Sequence, residues 1–268
     1  MITKRLLALL ALISSSMVTA NDALDSVISA EHREQSMARD VFRNPKETLT
    51  FFEVEPQHRV LEITPGATGW YTEILAPYLR DSGHLTIGHF DPNSEREYYQ
   101  RGYKRLMAKF SKSPNLYDKV EVGLFAPPGK YSYGEGGFDR VVTFRNVHNW
   151  TRNGDEEMKK IFTSFYDALK PGGKLGVIDH RLPEDRAKAY EGGYVKESYV
   201  VKLAESVGFR LQGKSEINAN AKDPVESDKG VWRLPPSLSG DDEAAKEKNR
   251  KIGESDRMTL LFVKPEKR

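Results

Sequence analysis

The sequence contains no cysteine in 268 residues. That absence excludes disulfides, thiolate metal centres, a cysteine nucleophile and a lipid-modified cysteine; it suits an oxidising compartment without requiring one. Net charge is also scarce, with 41 Lys and Arg against 39 Asp and Glu. Lys4 and Arg5 carry the whole excess, because residues 1–20 contain no acid. The rest of the chain is balanced and shows no basic stripe, which argues against nucleic acid as a partner. Long apolar runs are missing as well. Leu6–Ile13 falls well short of the roughly 20 residues that a spanning helix needs, and no later stretch approaches it. No internal repeat is visible.

The short apolar run sits in a recognisable frame. Lys4-Arg5 precede it, polar Ser14–Ser16 follow, and Val18-Thr19-Ala20 supplies small residues for cleavage. This is the pattern of a secretory signal peptide over residues 1–20, so the mature chain is expected to begin at Asn21. The expected destination is the periplasm or the medium, with no membrane attachment after cleavage. What remains is long enough to bury one α/β core.

The organising stretch is Arg59–Leu79, RVLEITPGATGWYTEILAPYL. Arg59–Ile63 is mostly apolar and β-favouring, and Thr64-Pro65-Gly66 punctuates a turn. After Gly69, Trp70, Tyr71, Ile74, Leu75, Tyr78 and Leu79 recur at helical spacing. A strand turning on small residues into a helix aims backbone N–H groups at whatever lies above its tip, which suits an anionic group. Glu62 stands near that tip, placed to receive a ligand hydroxyl or ammonium. The loop reads as the floor of a nucleotide-like cofactor site.

Residues 21–57 read as a helical cap. Pro45–Leu49 starts a short helix that carries Leu49, Phe51 and Phe52 towards the core, and Pro56 ends it. The cap either packs over one edge of the sheet or closes over the ligand as a lid. Beyond it the pattern alternates. Strands are expected at 85–90, 119–124, 138–144, 174–179, 209–217 and 258–263, with helices at 93–110, 156–169 and 194–207. Residues 126–137 form a Pro/Gly/Tyr-rich loop. The segment Asn218–Asp256 interrupts the alternation as a mostly solvated insertion with a helix at 241–251, although Trp232 and Arg233 could fold back over the site. Such alternation implies a parallel sheet covered on both faces, with ligands at the carboxyl ends of the strands where the order reverses.

Three motifs make the resemblance specific. VLEITPGATG (Val60–Gly69) resembles the first motif of the Rossmann-like, class I S-adenosylmethionine-dependent methyltransferases. FDRVVTFRNVHNW (Phe138–Trp150) resembles the strand leading into their active-site motif, and LKPGGKLGVID (Leu169–Asp179) the helix–turn–strand that follows. The match covers roughly Val60–Gly208. With the segment R-D-x-x-R-x-P-x-E-T-L at Arg39–Leu49, it is nearest to a group of secreted predicted methyltransferases. The resemblance implies a doubly wound α/β sheet of about seven mostly parallel strands with an antiparallel last strand, over residues 58–268. It also implies S-adenosylmethionine as cofactor and methyl transfer to a small molecule.

Carried onto this sequence, the donor would meet Glu62, Thr64, Gly66 and Gly69 in the first motif. Thr64 stands where the family usually has a glycine. His89 occupies the position of the acid that holds the ribose hydroxyls, with Asp91 two residues on as a substitute if the strand end twists suitably. Gly123-Leu124-Phe125 replaces the acid that binds the adenine amino group, leaving Phe125 to stack on a purine.

Chemistry is expected at Arg145–Trp150. The sulfonium methyl is already activated, so catalysis is mainly alignment plus removal of a proton from a hydroxyl or amine. His148 suits the base role, and Asn146 could orient the acceptor or the donor's amino group. The competing view of His148 and Asn149 is that they only cap the loop into the next helix while Trp150 packs as core. His89, His148 and His180 lie near three strand ends, but no His-x-x-x-His spacing supports a metal, and none is expected. A different class of function also fits an exported chain with altered donor positions: a small-molecule-binding module that keeps the fold without methyl transfer. An NAD-linked oxidoreductase fits less well, because it wants Gly-x-Gly-x-x-Gly and a ribose acid about 20 residues on.

Overall fold

The computed structural model describes residues 20–133, 137–240 and 242–266. The expected signal segment lies outside them, apart from Ala20. Ten strands follow one another as β1 (Arg59–Ile63), β2 (His84–His89), β3 (Glu121–Ala126), β4 (Lys130–Ser132), β5 (Phe138–Phe144), β6 (Leu169–Leu182), β7 (Tyr190–Glu191), β8 (Tyr194–Lys196), β9 (Arg210–Ser215) and β10 (Arg257–Val263). They are ordered β4-β3-β2-β1-β5-β6-β10-β9, with β7 and β8 attached at the end of β6. β3, β2, β1, β5 and β6 run parallel; β10 runs antiparallel between β6 and β9. This is the expected Rossmann-like sheet, seven strands with the last reversed, extended at one edge by the β3–β4 hairpin. The order reverses between β1 and β5, so a crevice opens above their carboxyl ends.

Alternation along the central strands divides the core between two faces. Leu61, Val141, Val177 and Leu260 point to one face, against Met158, Phe162 and Phe165. Val60, Val142, Ile178 and Leu261 point to the other, against Leu49, Phe52, Ile74 and Leu75. Helices therefore cover both sides. The cap supplies α1 (Ala20–Ile28), α2 (Glu34–Met37), α3 (Asp40–Arg43) and α4 (Pro45–Phe51). α5 (Thr72–Leu79) follows the first turn, and α6 (Glu97–Lys112) and α7 (Pro114–Tyr117) lead to β3. α8 (Val147–Trp150), α9 (Asp155–Ala168), α10 (Glu197–Ser206) and α11 (Glu243–Ile252) complete the set. Among the described residues no helix is long and apolar enough to cross a membrane.

Three details differ from the expectations above. The helix expected at 194–207 begins only at Glu197, because Tyr194–Lys196 form β8 against the end of β6. The Pro/Gly/Tyr-rich loop contains β4, a three-residue edge strand too short to show a period. The segment 218–256 has more exposed than buried residues, as expected, but it also has an interior of its own in which Asn218, Asp223, Val231, Arg233, Asn249 and Glu254 are buried. Its buried charged groups are ion-paired within the segment and with the body of the fold. Arg233 donates to Asn249 Oδ1 and lies 3.6 Å from Asp223, while Asn218 Nδ2 reaches Thr48 and Thr259. Trp232 does fold back over the crevice; Arg233 does not, being held in the segment's own interior.

The cap is joined to the sheet through Phe52, which is fully buried. Its ring lies over Gly176 of β6, where an added Cβ would come within 2.6 Å of it, and 6.1 Å from the ring of Phe144. Phe52→Ala should therefore cost about 3–5 kcal/mol, which lowers the Tm by roughly 10 °C in a chain of this size. Thermal unfolding followed by circular dichroism measures it; an unchanged Tm would mean that the cap contributes nothing to the core.

Candidate functional site

The crevice is a cavity of about 1280 Å³ above the carboxyl ends of β1, β2 and β5. Ordinary small-ligand sites hold roughly 300–1,000 Å³, so two ligands can share it. Its floor is the turn after β1. Thr64 turns the chain in the left-handed region, at φ +51°, with its N–H donating to the Gly88 carbonyl of β2 (2.8 Å). A β-branched residue is strained there, and such strain collects at ligand sites. The Thr64 hydroxyl is buried and has no hydrogen-bond partner among the described residues. Gly66 (φ +72°) follows, and a Cβ added there would meet nothing within 4 Å, so the turn presents bare backbone to open space. Gly69 has another task. A Cβ there would strike Leu106 and Thr72 at 2.9 Å, so Gly69 lets α6 and α5 pack closely and does not line the cavity.

Glu62 lines the cavity and is almost fully buried, with its Oε2 accepting from the Thr72 hydroxyl (2.7 Å). Burial lifts its pKa from 4.5 to about 7, against the opposing pull of the Thr72 hydrogen bond and the Lys109 charge. At the end of β2 the two candidates separate. His89 is wholly buried, off the cavity, stacked on Phe90 and Tyr103 at ring distances of 4.7 and 5.7 Å. Burial depresses its pKa to about 4, so it is a neutral packing residue. Asp91 lines the cavity, accepts from the Asn93 N–H (2.8 Å) and faces Lys130 at 3.4 Å. Phe125 borders the cavity but is 1% exposed and packs in an aromatic group with Trp150, Tyr131 and Phe165.

The far wall comes from the end of β5. Asn146 donates from Nδ2 to the carbonyls of Ile63 (3.0 Å) and Thr64 (3.1 Å) and to Thr143 Oγ1 (3.1 Å). It clamps the two strand ends between which the crevice opens, and it lines the cavity itself. His148, at the start of α8, is oriented by a residue of β6 that the motif reading left in the background. Asp179 accepts from the His148 N–H (2.7 Å), lies 2.8 Å from His148 Nδ1, and accepts from the His180 N–H (2.8 Å). An ionised carboxylate can only accept, so Nδ1 carries the proton and Nε2 is the basic nitrogen of a side chain lining the cavity.

Of the three histidines, His148 and His180 come together, with ring centroids 4.8 Å apart, and His89 stays elsewhere. The ligand atoms of His148, Asp179 and His180 fall within 4.8 Å of one another. Both Nδ1 atoms are already engaged, one by Asp179 and the other by the Ser255 hydroxyl. Burial, followed by His148, Arg145, Arg257 and Arg43, holds the His180 pKa well below its ordinary value.

The sequence reading passed over the arginines. Arg39 and Arg43 of the cap and Arg145 after β5 all line the cavity. Glu254, from the insertion, pairs with Arg39 (2.6 Å), Arg43 (3.4 Å) and Arg257 (3.2 Å). Burial alone would raise the Glu254 pKa, but these guanidinium groups outweigh it and hold the value at about 2. The only advance signal was the pair of arginines in R-D-x-x-R.

No protein-family model matches this chain, and no curated protein matches it. Among solved structures it is similar to an S-adenosylmethionine-dependent methyltransferase from Aquifex aeolicus, at 15% identity and TM-score 0.56, over 91% of this chain and 98% of that one. It is also similar to the [4+2]-cyclase SpnF (16% identity, TM-score 0.55, 84% and 81% covered). A third likeness is to the YcgJ protein from Bacillus subtilis (14%, 0.52, 84% and 99%). The chain thus has the Rossmann-like fold of the S-adenosylmethionine-dependent methyltransferases, and at these identities the likeness shows fold alone.

Glu62 gives the site a measurable signature. Between about pH 4.5 and pH 7 the folded protein keeps a proton that the unfolded chain has lost. The stability supplied by the neutral form is complete below the unfolded value and disappears as pH rises through the folded one. Urea unfolding should show a loss of about 3 kcal/mol from this group between roughly pH 4.5 and pH 8, and Glu62→Gln should abolish that slope. Thr64→Gly should raise stability by about 1 kcal/mol, because it relieves both the backbone strain and a buried unpartnered hydroxyl. Equal or lower stability would show that Thr64 is not strained.

Proposed function

We propose that this protein transfers a methyl group from S-adenosylmethionine to a small-molecule acceptor, with His148 as general base. The observation that carries the reading is the open backbone turn at Thr64–Gly66 facing the Asp179-oriented His148 across one cavity. The residues present suit the donor. Asp91 offers a carboxylate at the tip of β2, Glu62 a buried acceptor at the tip of β1, and the bare Gly66 turn a place for the charged amino-acid end. When bound, the donor supplies a methyl group on a positively charged sulfur. The chain's own work is to hold the acceptor in line, exclude water, and take a proton from its hydroxyl or amine at His148 Nε2. Asp179 fixes the tautomer that makes this possible and stabilises the imidazolium that results.

Export belongs to the same proposal. Its support is the pattern of Lys4-Arg5, Leu6–Ile13 and Val18-Thr19-Ala20 in the sequence. The mature protein would act in the periplasm or medium on a small molecule, with no nucleic-acid or membrane partner.

Calorimetric titration with S-adenosylhomocysteine tests the donor site. Micromolar binding is expected in the mature protein, abolished in Gly66→Arg and weakened roughly ten-fold or more in Asp91→Ala, which loses a charge-assisted contact. His89→Ala should destabilise the fold and leave the affinity unchanged. Absence of binding in the wild type would remove the methyltransferase reading, and retention of another ligand through purification would favour the non-catalytic module.

A further inference from the structure

Four guanidinium groups, Arg39, Arg43, Arg145 and Arg257, gather on the His148 side of the cavity around one carboxylate, Glu254. Arg39, Arg43 and Arg257 are ion-paired with it. Arg145 is not. Among the described residues its guanidinium makes no ion pair within 4 Å, those of Glu254 going to Arg39, Arg43 and Arg257, and its Nε is buried with no hydrogen-bond partner. Burial, offset in part by Glu254, lowers its pKa to about 10, and burial together with Arg145 lowers that of Arg43 to about 9. Both still carry charge at neutral pH. The backbone of Arg145 is itself in the left-handed region, φ +63°, fixed by its N–H to the Ile178 carbonyl (2.7 Å). A non-glycine residue is thus held in a disfavoured conformation with an unneutralised charge beside a cavity.

Buried charge persists when something compensates it. The second acid nearby, Asp179, is committed to His148 and the His180 N–H. Even counting Asp179, the cluster keeps a positive excess. The donor named above cannot remove it, because a sulfonium and an ammonium against one carboxylate leave that molecule net positive. The negative charge has to arrive with the other ligand. We infer that Arg145, backed by Arg43 and Arg39, forms the anion subsite of the acceptor, so that the acceptor is a small molecule bearing a carboxylate or phosphate close to its methylated hydroxyl or amine. A planar guanidinium offers such a group two parallel hydrogen bonds, which fixes orientation as well as position.

This inference rests on the methyl-transfer reading for the word acceptor, but the subsite can be tested apart from it. Inorganic phosphate and succinate are titrated calorimetrically into the wild type, Arg145→Met and Arg145→Lys, each with and without S-adenosylhomocysteine. Expected are binding of at least one anion to the wild type, compatible with bound S-adenosylhomocysteine, and a loss of about thirty-fold or more in Arg145→Met, as for other truncated buried charge contacts. Arg145→Lys should recover part of that loss, and the affinity for S-adenosylhomocysteine should be unchanged in both variants. The companion probe is 5′-methylthioadenosine, which lacks the amino-acid end. The subsite is overturned if neither anion binds the wild type. It is overturned equally if phosphate competes with S-adenosylhomocysteine but not with 5′-methylthioadenosine, since the arginines would then serve the donor's carboxylate. That competition needs only the wild type and so does not depend on either variant folding. Arg145-dependent anion binding without any S-adenosylhomocysteine binding would keep the subsite and remove the methyl-transfer reading.

Discussion

The carboxylate of Glu254 is the constraint on which the rest of this structure turns. It is buried among guanidinium groups from three parts of the chain: the cap (Arg39 and Arg43), the residue following β5 (Arg145) and β10 (Arg257). Removing one partner of such a set leaves uncompensated charge in a dry interior, which costs several kcal/mol. Cap, insertion and sheet are therefore held in one arrangement, and the cavity wall they share is held with them. Trp70 joins the same network, with Arg43 4.6 Å and Arg33 5.1 Å from its ring and its Nε1–H bonded to the Ser36 carbonyl (3.2 Å).

Two strained residues face each other across the crevice. Thr64 directly follows β1 and Arg145 directly follows β5, each with a positive φ that its side chain disfavours. Asn146 spans the gap between them through the Ile63 and Thr64 carbonyls. Hydrogen bonds thus hold in place a floor and a wall that the isolated loops would not adopt. Conformations of this kind survive where the surroundings over-determine them, and they pre-organise a site before any ligand arrives.

Much of the fold could be read from periodicity. The run Arg59–Leu79 showed a buried strand and a helix face, and Trp70, Tyr71, Ile74, Leu75, Tyr78 and Leu79 are all buried. Phe138–Phe144 was delimited to the residue. The site was less legible, for two physical reasons. Strand alternation put His89 and Asp91 on the same side, but β2 ends at His89. Beyond it the chain leaves the strand, and Asp91 reaches the cavity by accepting the Asn93 N–H while His89 sinks into an aromatic group. The arginine network was hidden by distance along the chain, since Arg43 and its partner Glu254 stand 211 residues apart. A buried charged cluster also looks like solvated surface in composition, so the buried interior of an otherwise exposed insertion leaves no mark in the sequence.

The two borders of the sheet carry a consequence of their own. One is β4, three residues long; the other is β9, whose outward positions are Arg210, Gln212 and Lys214. An open border with unpaired amides is a template on which a second molecule can add a strand, and short length and cationic side chains are what discourage it. Two such borders leave the molecule poorly suited to seed fibrils or edge-to-edge polymers, even when crowded.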